Sequence, residues 1–330
     1  MVRRVHVLGG GSLGTLFAAH FARSGVATTL LLRRANARRC TLRVTEEQPA
    51  SNDMQTTVAC ESSSSSDLDA EPFGLLVVAV KAFAARSALD SVASRIDPSR
   101  TSVVLLCNGA LAVADELPTR SPLLVATTTH GAWSRAPLDV HHAGKGETWV
   151  GALPDGSGSA VSPSDEQRGA CTLFATTGLG AHVESPAQTE RRLWLKLAAN
   201  AVLNPLTALW DCQNGEVLRR AEGLAVTDAV CDEIAALAAQ RADGAAAADA
   251  TPSARELVDF VHECAGANAA NYSSMCMDVR NGRRTEIEQL NGWLEAKARQ
   301  LGTPHEANSK LADAIRKREP IVVQTVQYSV

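Results

Sequence analysis

The sequence predicts an α/β protein in which a doubly wound parallel sheet is followed by a domain made entirely of helices. Short runs rich in Val, Leu and Ala alternate with helical patterns through the first half of the 330 residues, and a glycine-rich loop follows the first run. From about Pro186 onward, helical periodicity is almost continuous. Because strands that alternate with helices form parallel sheets, we expect a sheet domain over residues 1–186 and a helical domain over residues 187–330.

The predicted strands of the first half are nearly unbroken in apolar side chains, which is typical of strands covered on both faces. They are Val5–Leu8, Val26–Leu32, Leu75–Val80, Ser102–Cys107 and Leu123–Thr129, with helices at Ser12–Arg23 and Ala82–Ser94. Two polar stretches, Glu61–Asp67 and Gly156–Ser159, interrupt the pattern and are expected to be surface loops without a chemical role.

The second half carries four long helical patterns. They are Thr189–Leu209, Leu224–Arg241, Ser253–Ala265 and Arg284–Leu301. Gly302 and Pro304 follow the last pattern directly, as residues that end a helix commonly do. This half therefore predicts a helical bundle.

Composition excludes several classes of protein. The net charge is −4 and the pI is about 6.1, which argues against general nucleic-acid binding because that requires a clustered basic surface. No apolar run reaches the length of a membrane span. The N-terminus is predicted to enter a strand at once and carries no signal-peptide pattern. We therefore expect a cytoplasmic protein that binds neither membranes nor nucleic acid.

The cysteines give no sign of a metal site or a disulfide framework. There are eight, without a C-x-x-C pair: Cys40, Cys60, Cys107, Cys171, Cys212, Cys231, Cys264 and Cys276. A zinc site requires clustered ligands. We expect free thiols, many of them buried as small apolar side chains, and no metal.

The run Gly9-Gly10-Gly11-Ser12-Leu13-Gly14, called here the glycine loop, matches G-x-G-x-x-G. It lies between a predicted strand and a predicted helix, the context in which this motif binds dinucleotides. One glycine permits a tight turn, one lets the backbone approach the pyrophosphate, and one allows close packing of helix and strand. A glycine-rich turn that binds nothing is the alternative.

The end of the second predicted strand indicates which dinucleotide is preferred. NAD sites usually place Asp or Glu there to hold the ribose hydroxyl, whereas this sequence has Arg33 and Arg34. A guanidinium can hold a 2′-phosphate through charge-assisted hydrogen bonds. The arginines favour NADPH/NADP+ as cofactor, unless both are ordinary solvated surface charges.

Three polar side chains share one face of the first helix of the second half. Lys196, Asn200 and Asn204 lie four residues apart, among apolar neighbours. A lysine with two amides beside it could stabilise an oxyanion, although a solvated lysine on an amphipathic helix would show the same spacing. Pro205 is expected to kink the helix or to open its hydrogen-bond ladder.

Two later segments carry further polar groups. Asn271–Met275 places small polar side chains before a helical run. Arg283–Ile287 is predicted to open the helix that continues to Leu301. Within it, Glu286 could simply favour the positive end of that helix.

Several motifs occur in a fixed order along the chain. They are Gly9-x-Gly11-x-x-Gly14, Arg33, Val80-Lys81-Ala82, Asn108-Gly109, Thr127-Thr128-Thr129-His130, Lys196-x-x-x-Asn200-x-x-x-Asn204-Pro205-Leu206-Thr207-Ala208, Asn214-Gly215, Asn271-x-x-Ser274-Met275 and Arg284-Thr285-Glu286-Ile287. With these motifs the chain resembles ketopantoate reductase over nearly its full length. The lysine–asparagine helix and the last two motifs are much more specific than the glycine loop. The serine-rich region Asn52–Glu71 departs from the resemblance but lies outside the motifs.

The resemblance implies a Rossmann domain joined to a helical domain, an active site between them, and reduction of 2-dehydropantoate to (R)-pantoate with NADPH, toward pantothenate and coenzyme A. It implies that Lys196 is the general acid and that Glu286 helps to close the site over cofactor and substrate. The implied cofactor contacts are Gly9, Gly10, Gly11, Ser12, Leu13, Gly14, Arg33, Lys81, Asn108, Glu286 and, less securely aligned, Ala132. The implied substrate contacts are Asn108, Lys196, Asn200, Asn204, Asn214, Asn271 and Ser274.

Three alternatives stay open at this point. The enzyme could reduce another 2-keto acid, since the family has relatives that do so. It could belong to a neighbouring family of NAD(P) dehydrogenases that act on a 3-hydroxy acid or a sugar phosphate. It could also be a non-catalytic NADPH-binding sensor, although the presence of Lys196 and Glu286 weighs against that. A small-molecule 2-keto acid is the expected partner, and the sequence leaves a homodimer open.

Overall fold

A computed structural model describes residues 4–35, 37–46, 54–63, 71–117, 123–153, 165–241 and 247–318. The chain divides into two compact units. The N-terminal unit comprises Met1–Leu193 and Ala242–Ala250, and the helical unit comprises Trp194–Arg241 and Thr251–Val330. The polar stretch Gly156–Ser159 lies outside the described residues.

The N-terminal unit is built on one sheet. Its strands are β1 (Arg4–Leu8), β2 (Ala27–Leu32), β3 (Arg39–Glu46), β4 (Met54–Ser62), β5 (Leu75–Val78), β6 (Ser102–Leu105), β7 (Leu123–Thr128), β8 (Gly131–Ala136), β9 (Asp139–Gly144), β10 (Thr148–Ala152) and β11 (Ala181–Glu184). Among the described residues these 11 strands follow the order β11-β10-β7-β6-β5-β1-β2-β4-β3-β9-β8. Its helices are α1 (Ser12–Arg23), α2 (Ala82–Asp90), α3 (Ala110–Glu116) and α4 (Asp165–Ala175).

The centre of the sheet is parallel, as the sequence predicts. Strands β4, β2, β1, β5, β6 and β7 pair with their neighbours in parallel register. Their apolar runs are buried because helices cover the sheet: Val5, Val7, Leu75 and Val104 are fully buried. The predicted fold class, a doubly wound Rossmann sheet followed by helices, is confirmed.

Antiparallel pairs extend both sides of this parallel centre and were not predicted. Strand β3 runs antiparallel to β4, β8 forms an antiparallel hairpin with β9, and β10 runs antiparallel to β7. One expectation about the serine-rich stretch is wrong, since Glu61 and Ser62 end β4 instead of lying in a loop. The adjacent Ser63 N–H bonds the carbonyl of Leu32 (2.7 Å), which ties this end of β4 to β2. The rest of the stretch, 64–67, lies outside the described residues.

The helical unit contains no strand among its described residues. Its helices are α5 (Pro186–Trp210), in which the division between the units falls, α6 (Asn214–Val217), α7 (Ala221–Arg241), α9 (Ala254–Ala267), α10 (Ser274–Arg280), α11 (Asn291–Leu301) and α12 (Glu306–Arg316); the short α8 (Ala247–Ala250) belongs to the N-terminal unit. In the part of the chain that the structure describes, no helix is long and apolar enough to cross a membrane.

Two predicted helices are wrong at an end. The last long helix begins at Asn291 and not at Arg284, because a short 3₁₀ turn at Ile287–Gln289 precedes it and Leu290 (φ −111°, ψ −101°) is not helical. Similarly, α2 ends at Asp90 and does not continue to Ser94, since the chain passes into another 3₁₀ turn. In both segments the spacing of polar residues is typical of an α-helix, but the backbone does not form one.

The cysteines are free, and five of them are buried. Burial raises the pKa of the Cys231 thiol to about 12 and that of Cys171 to about 11, so both are poor nucleophiles. Among the described residues, no group of three or more His, Cys, Asp or Glu side chains is arranged to hold a metal ion.

Candidate active site

The glycines of the glycine loop have distinct structural roles. Gly9 has φ +112°, a conformation that other residues rarely adopt, and a Cβ built there would lie 2.6 Å from the carbonyl oxygen of Ala79. A Cβ at Gly14 would overlap with the carbonyl oxygen of Gly9. Gly9 is therefore required for the turn, and Gly14 for the close contact between α1 and β1.

Gly11 is different, because no described residue fills the space beside it. A Cβ at Gly11 would have the carbonyl oxygen of Ala79, 4.0 Å away, as its nearest neighbour. Gly11 is the N-cap of α1 and makes no side-chain cap. The first helical bond runs from the Thr15 N–H to the Gly11 carbonyl (2.9 Å), so the N–H groups of the preceding turn point out of the helix. This exposed, glycine-lined end of α1 fits a pyrophosphate.

The remaining polar candidates of the N-terminal unit follow the carboxyl ends of neighbouring parallel strands. Strand β1 leads into the glycine loop, β2 into Arg33, β5 into Lys81 and β6 into Asn108. Carboxyl ends of parallel strands meet at one edge of the sheet, where open α/β folds bind their ligands. The structure thus brings these residues to the same edge.

The exposure of these residues suits ligand contact. Arg33 and Lys81 are exposed, and Asn108 is half-buried. The backbone of Arg33 is fixed, because its carbonyl accepts a hydrogen bond from the Ser62 hydroxyl (3.2 Å). Arg34, beside it, is also exposed.

Ala132 lies on β8, at the far edge of the sheet order, yet its strand reaches the glycine loop. The hydroxyl of Ser134, two residues further on, lies 3.0 Å from the hydroxyl of Ser12. Leu138, in the turn after β8, would be 3.0 Å from a Cβ at Gly10. The β8–β9 hairpin therefore covers one side of the glycine loop, a contact that no sequence pattern predicted.

In the helical unit, the polar face of α5 is partly covered. Lys196 and Asn200 are half-buried, and Asn204 is buried. The charge of Lys196 reaches Cys264 on α9: burial raises the pKa of that thiol to about 11, and Lys196 acts in the opposite direction. Lys196 is therefore not a fully solvated side chain.

Hydrogen bonds join the end of α5 to the segment before α10. The Thr207 hydroxyl donates to the Ser273 hydroxyl (2.6 Å), and Ser273 caps α10 by accepting from the Cys276 N–H (3.1 Å). Ser274, the first residue of α10, is exposed and so lies next to this link. Sequence reasoning included Thr207 and Ser273 in its motifs but gave them no role, although an N-capping serine before a helix is a recognisable signal.

Asn214 and Asn271 are held side by side. The N–H of Asn214 bonds the carbonyl of Asn271 (2.9 Å), and the Asn214 side-chain amide donates to the carbonyl of Asn268 (3.2 Å). The Asn214 Oδ1 atom is buried and has no hydrogen-bond partner among the residues that the structure describes.

Glu286 is buried, 5% exposed, just before the 3₁₀ turn. Because α11 begins five residues later, Glu286 is outside the first turn of that helix, where its charge would favour the helix dipole. An interaction of the Glu286 carboxylate with the N-terminus of α11, the alternative that the sequence left open, therefore does not occur.

The fold and the glycine loop place the chain in the class of two-domain Rossmann oxidoreductases. Residues 5–155 match the model of the family described as ketopantoate reductase PanE/ApbA, and residues 188–319 match the model of its C-terminal domain. The chain belongs to the ketopantoate reductase family, and it is an oxidoreductase that acts on CH–OH groups.

Curated relatives match the chain over most of its length. The 2-dehydropantoate 2-reductase of Escherichia coli O157:H7 is 30% identical and aligns over 96% of this chain and 95% of its own. The enzyme of the same name from Vibrio cholerae is 31% identical over 95% of this chain and 97% of its own.

Solved structures share the fold. A probable 2-dehydropantoate 2-reductase from Bacillus subtilis superposes with a TM-score of 0.74, is 25% identical, and covers 96% of this chain and 100% of its own. A D-mandelate dehydrogenase in complex with NADH and anilino(oxo)acetate has a TM-score of 0.77 at 18% identity, over 96% of this chain and 97% of its own. At that identity the second likeness shows the fold alone.

Proposed function

We propose that this enzyme reduces 2-dehydropantoate to (R)-pantoate with NADPH, in the pathway to pantothenate and coenzyme A, and that Lys196 is the general acid. The observation that carries the proposal is the polar group set of the helical unit. One helix face bears Lys196, Asn200 and Asn204, and the hydrogen-bonded segments at its end bear Asn214 and the Asn271–Ser274 turn. The curated 2-dehydropantoate 2-reductases at about this level of identity support the same substrate.

The glycine loop fits a dinucleotide, because Gly11 leaves room at the N-terminus of α1 that any side chain would fill. Ser12 and Leu13, in the first turn of α1, would offer N–H groups to the phosphates. Arg33 would hold a 2′-phosphate, and this favours NADPH over the NADH present in the D-mandelate dehydrogenase structure. When bound, the reduced nicotinamide supplies the hydride.

The residues of the helical unit would stabilise the charge of the reacting keto acid and supply the proton. Negative charge develops on the keto oxygen as the carbonyl is reduced, and the ammonium of Lys196 stabilises that charge and donates the proton. Asn200 and Asn204 would hold the keto acid in register with the lysine. Asn271 and Ser274 would bind its carboxylate or hydroxyl end.

Further cofactor and substrate contacts complete the proposal. Lys81, Asn108 and Ala132 would contact the cofactor, with Asn108 also reaching the substrate, and Glu286 would contact the cofactor as the site closes. Asn214, which a backbone hydrogen bond holds beside Asn271, would contact the substrate. We place the reaction in the cytoplasm; a monomer and a homodimer are both compatible with it.

The proposed function is tested by NADPH oxidation. We expect rapid oxidation with 2-dehydropantoate, slower oxidation with 2-keto acids that lack its hydroxyl, and little with NADH. Faster turnover of another 2-keto acid would assign that acid as the substrate instead. NADPH binding without oxidation by any 2-keto acid would contradict the proposal and favour a sensor.

A further inference from the structure

Helix α5 contains a proline in its interior, directly after Asn204. Pro205 has no N–H, so the carbonyl of Ala201, which lies four residues earlier, lacks the backbone donor that an α-helix normally provides. The proline ring also presses against that carbonyl. Ala201 is fully buried, so water cannot replace the missing donor, and a buried carbonyl left unsatisfied destabilises the fold.

The side chain of Asn291 supplies the missing donor. Asn291 is the first residue of α11 and is fully buried, and its Nδ2 donates to the carbonyl of Ala201 (2.9 Å). The same Nδ2 donates to Oδ1 of Asn308 (3.0 Å). One amide group therefore fills the gap that Pro205 makes in α5 and connects α5 to α12.

The hydrogen-bond partners on either side determine how the side-chain amides of Asn291 and Asn308 are oriented. At one end a backbone carbonyl only accepts, so the Asn291 atom that faces Ala201 must be nitrogen. At the other end, Nδ2 of Asn308 donates to the carboxylate of Glu233 on α7 (2.8 Å), which leaves Oδ1 of Asn308 to face Asn291. Glu233 also accepts from the N–H groups of Ala307 (2.7 Å) and Asn308 (3.0 Å), at the start of α12.

We propose that Asn291 is a positioning residue for the reaction: by closing the gap at Pro205, it fixes the part of α5 that carries Asn200 and Asn204. Ala201 lies directly after Asn200 and three residues before Asn204, so any opening of the ladder there changes the angle between the two asparagines. This inference rests on the proposed function, in which both asparagines hold the keto acid. Asn291 itself touches neither substrate nor cofactor.

Substitutions at Asn291 and Pro205 can test whether Asn291 acts through the Ala201 carbonyl. Asn291→Leu keeps the volume of the side chain but removes its donors. Pro205→Ala restores an N–H at position 205, which can donate to the Ala201 carbonyl without Asn291. If Asn291 acts through that carbonyl, the effect of N291L must shrink when P205A is present.

The measured quantities are kcat and KM for 2-dehydropantoate, and the Kd of NADPH from fluorescence titration. For N291L we expect kcat/KM to fall by about 10²-fold, the effect of a misplacement of about 1 Å in an active site, with the Kd of NADPH unchanged. We expect the kcat/KM of N291L/P205A to lie within about tenfold, or about 1.4 kcal/mol, of the kcat/KM of P205A alone. Leu257→Ala, which removes a buried side chain from α9, is the control: it should lower the melting temperature with little change in kcat/KM below that temperature.

Two outcomes overturn the proposal. One is a kcat/KM of N291L that matches the parent or the L257A control. The other is an equal loss from N291L in the parent and P205A backgrounds, which would mean that the Ala201 carbonyl is not the link. Should N291L fail to fold, N291L/P205A decides: a folded variant with the kcat/KM of P205A supports the proposal, and an unfolded or much slower one overturns it.

Amide hydrogen exchange separates this inference from the proposed function. We expect faster exchange of the α5 amides around Ala201 in N291L and parent-like exchange in N291L/P205A. If the parent protein reduces no 2-keto acid, the proposed function fails, and exchange alone then decides whether Asn291 holds α5. Unchanged exchange in N291L would overturn the inference even if the enzyme is active.

Discussion

The two units build their candidate binding surfaces from different parts of the chain. In the N-terminal unit the surface is mainly backbone: three glycines bring the N-terminus of α1 and its N–H groups to the carboxyl edge of the sheet. In the helical unit the surface is mainly side chain, with asparagines, a serine and a lysine held by buried hydrogen bonds. The first therefore depends on the absence of side chains, and the second on a specific group at each position.

The largest expected effect is in the helical unit. Lys196→Ala removes both the proton donor and the positive charge, and general acid catalysis typically contributes about 10²–10⁴-fold, so we expect kcat to fall in that range. Binding of NADPH, which the glycine loop would hold, should persist in a fluorescence titration. Lys310→Ala, at an exposed lysine of α12, is the control. Turnover by Lys196→Ala near the parent rate in stopped-flow assays would return Lys196 to a surface role.

Substitutions in the glycine loop should separate effects on NADPH binding from effects on the stability of the fold. Gly11→Ala has room in the protein, so we expect a nearly unchanged melting temperature but NADPH binding weaker by about tenfold or more, because the new methyl group would fill the pyrophosphate site. Gly14→Ala meets the Gly9 carbonyl and should lower stability by about 1–3 kcal/mol. Gly169→Ala on α4, where nothing lies nearby, is the control. Equal melting temperatures for all three variants would contradict this division of roles.

Cofactor choice should depend on one exposed side chain. Arg33→Ala removes charge-assisted hydrogen bonds to a 2′-phosphate, and we expect NADPH to bind about tenfold more weakly while NADH binding stays nearly unchanged. Arg100→Ala removes an exposed arginine just before β6, at the opposite edge of the sheet, and should change neither Kd. If the parent protein uses both cofactors equally, Arg33 does not set the preference.

The smallest effect concerns a buried histidine pair in the N-terminal unit. Nδ1 of His130 accepts from the Gly146 N–H (3.0 Å), and its Nε2 faces the Leu179 carbonyl (3.1 Å), so His130 is protonated on Nε2. Nε2 of His142 lies 2.9 Å from the same Nδ1 and must donate to it.

Burial, then the neighbouring His130, lowers the pKa of His142 from 6.5 to about 4; Glu46 acts in the opposite direction, while His20 and Lys145 add to the lowering. The folded protein thus binds this proton more weakly than the unfolded chain, so the neutral histidine contributes stability above pH 6.5 that is lost as the pH falls toward 4. We expect the free energy of unfolding to fall by roughly 1–2 kcal/mol between pH 7 and pH 5 from this group. In His142→Gln, whose amide can still donate to His130, that pH dependence should be smaller; an unchanged slope would assign it to other groups.

How far the sequence predicts this molecule depends on how strongly each segment constrains its backbone. Strands β1, β2, β5, β6 and β7 and helix α1 were predictable because their apolar runs and the glycine loop are typical of a Rossmann sheet. Strands β3, β4, β8 and β9 were not predicted, since they mix exposed with buried residues. The segment before α11 has a helical pattern, yet Leu290 adopts a non-helical backbone. No residue type in that segment predicts this conformation.

The sequence names candidate site residues one by one but says nothing about how they are connected. The motifs point to Asn214, Asn271 and Ser274, yet only the structure shows that one backbone hydrogen bond holds the first two together. Pro205 did signal an opened ladder, and the structure confirms that the Ala201 carbonyl is satisfied from outside the helix. The partner, Asn291, lies 90 residues away in the chain, a separation at which periodicity carries no information.

The packing of the glycine loop has a consequence for redesigning this enzyme. Gly9 and Gly14 face protein backbone, so neither can vary without moving α1 against the sheet. Arg33 and Arg34, in contrast, lie beyond the end of β2 with exposed side chains. A library that aims to exchange one nicotinamide coenzyme for the other should therefore randomise the arginine pair and leave the loop untouched, so that most clones retain a folded scaffold.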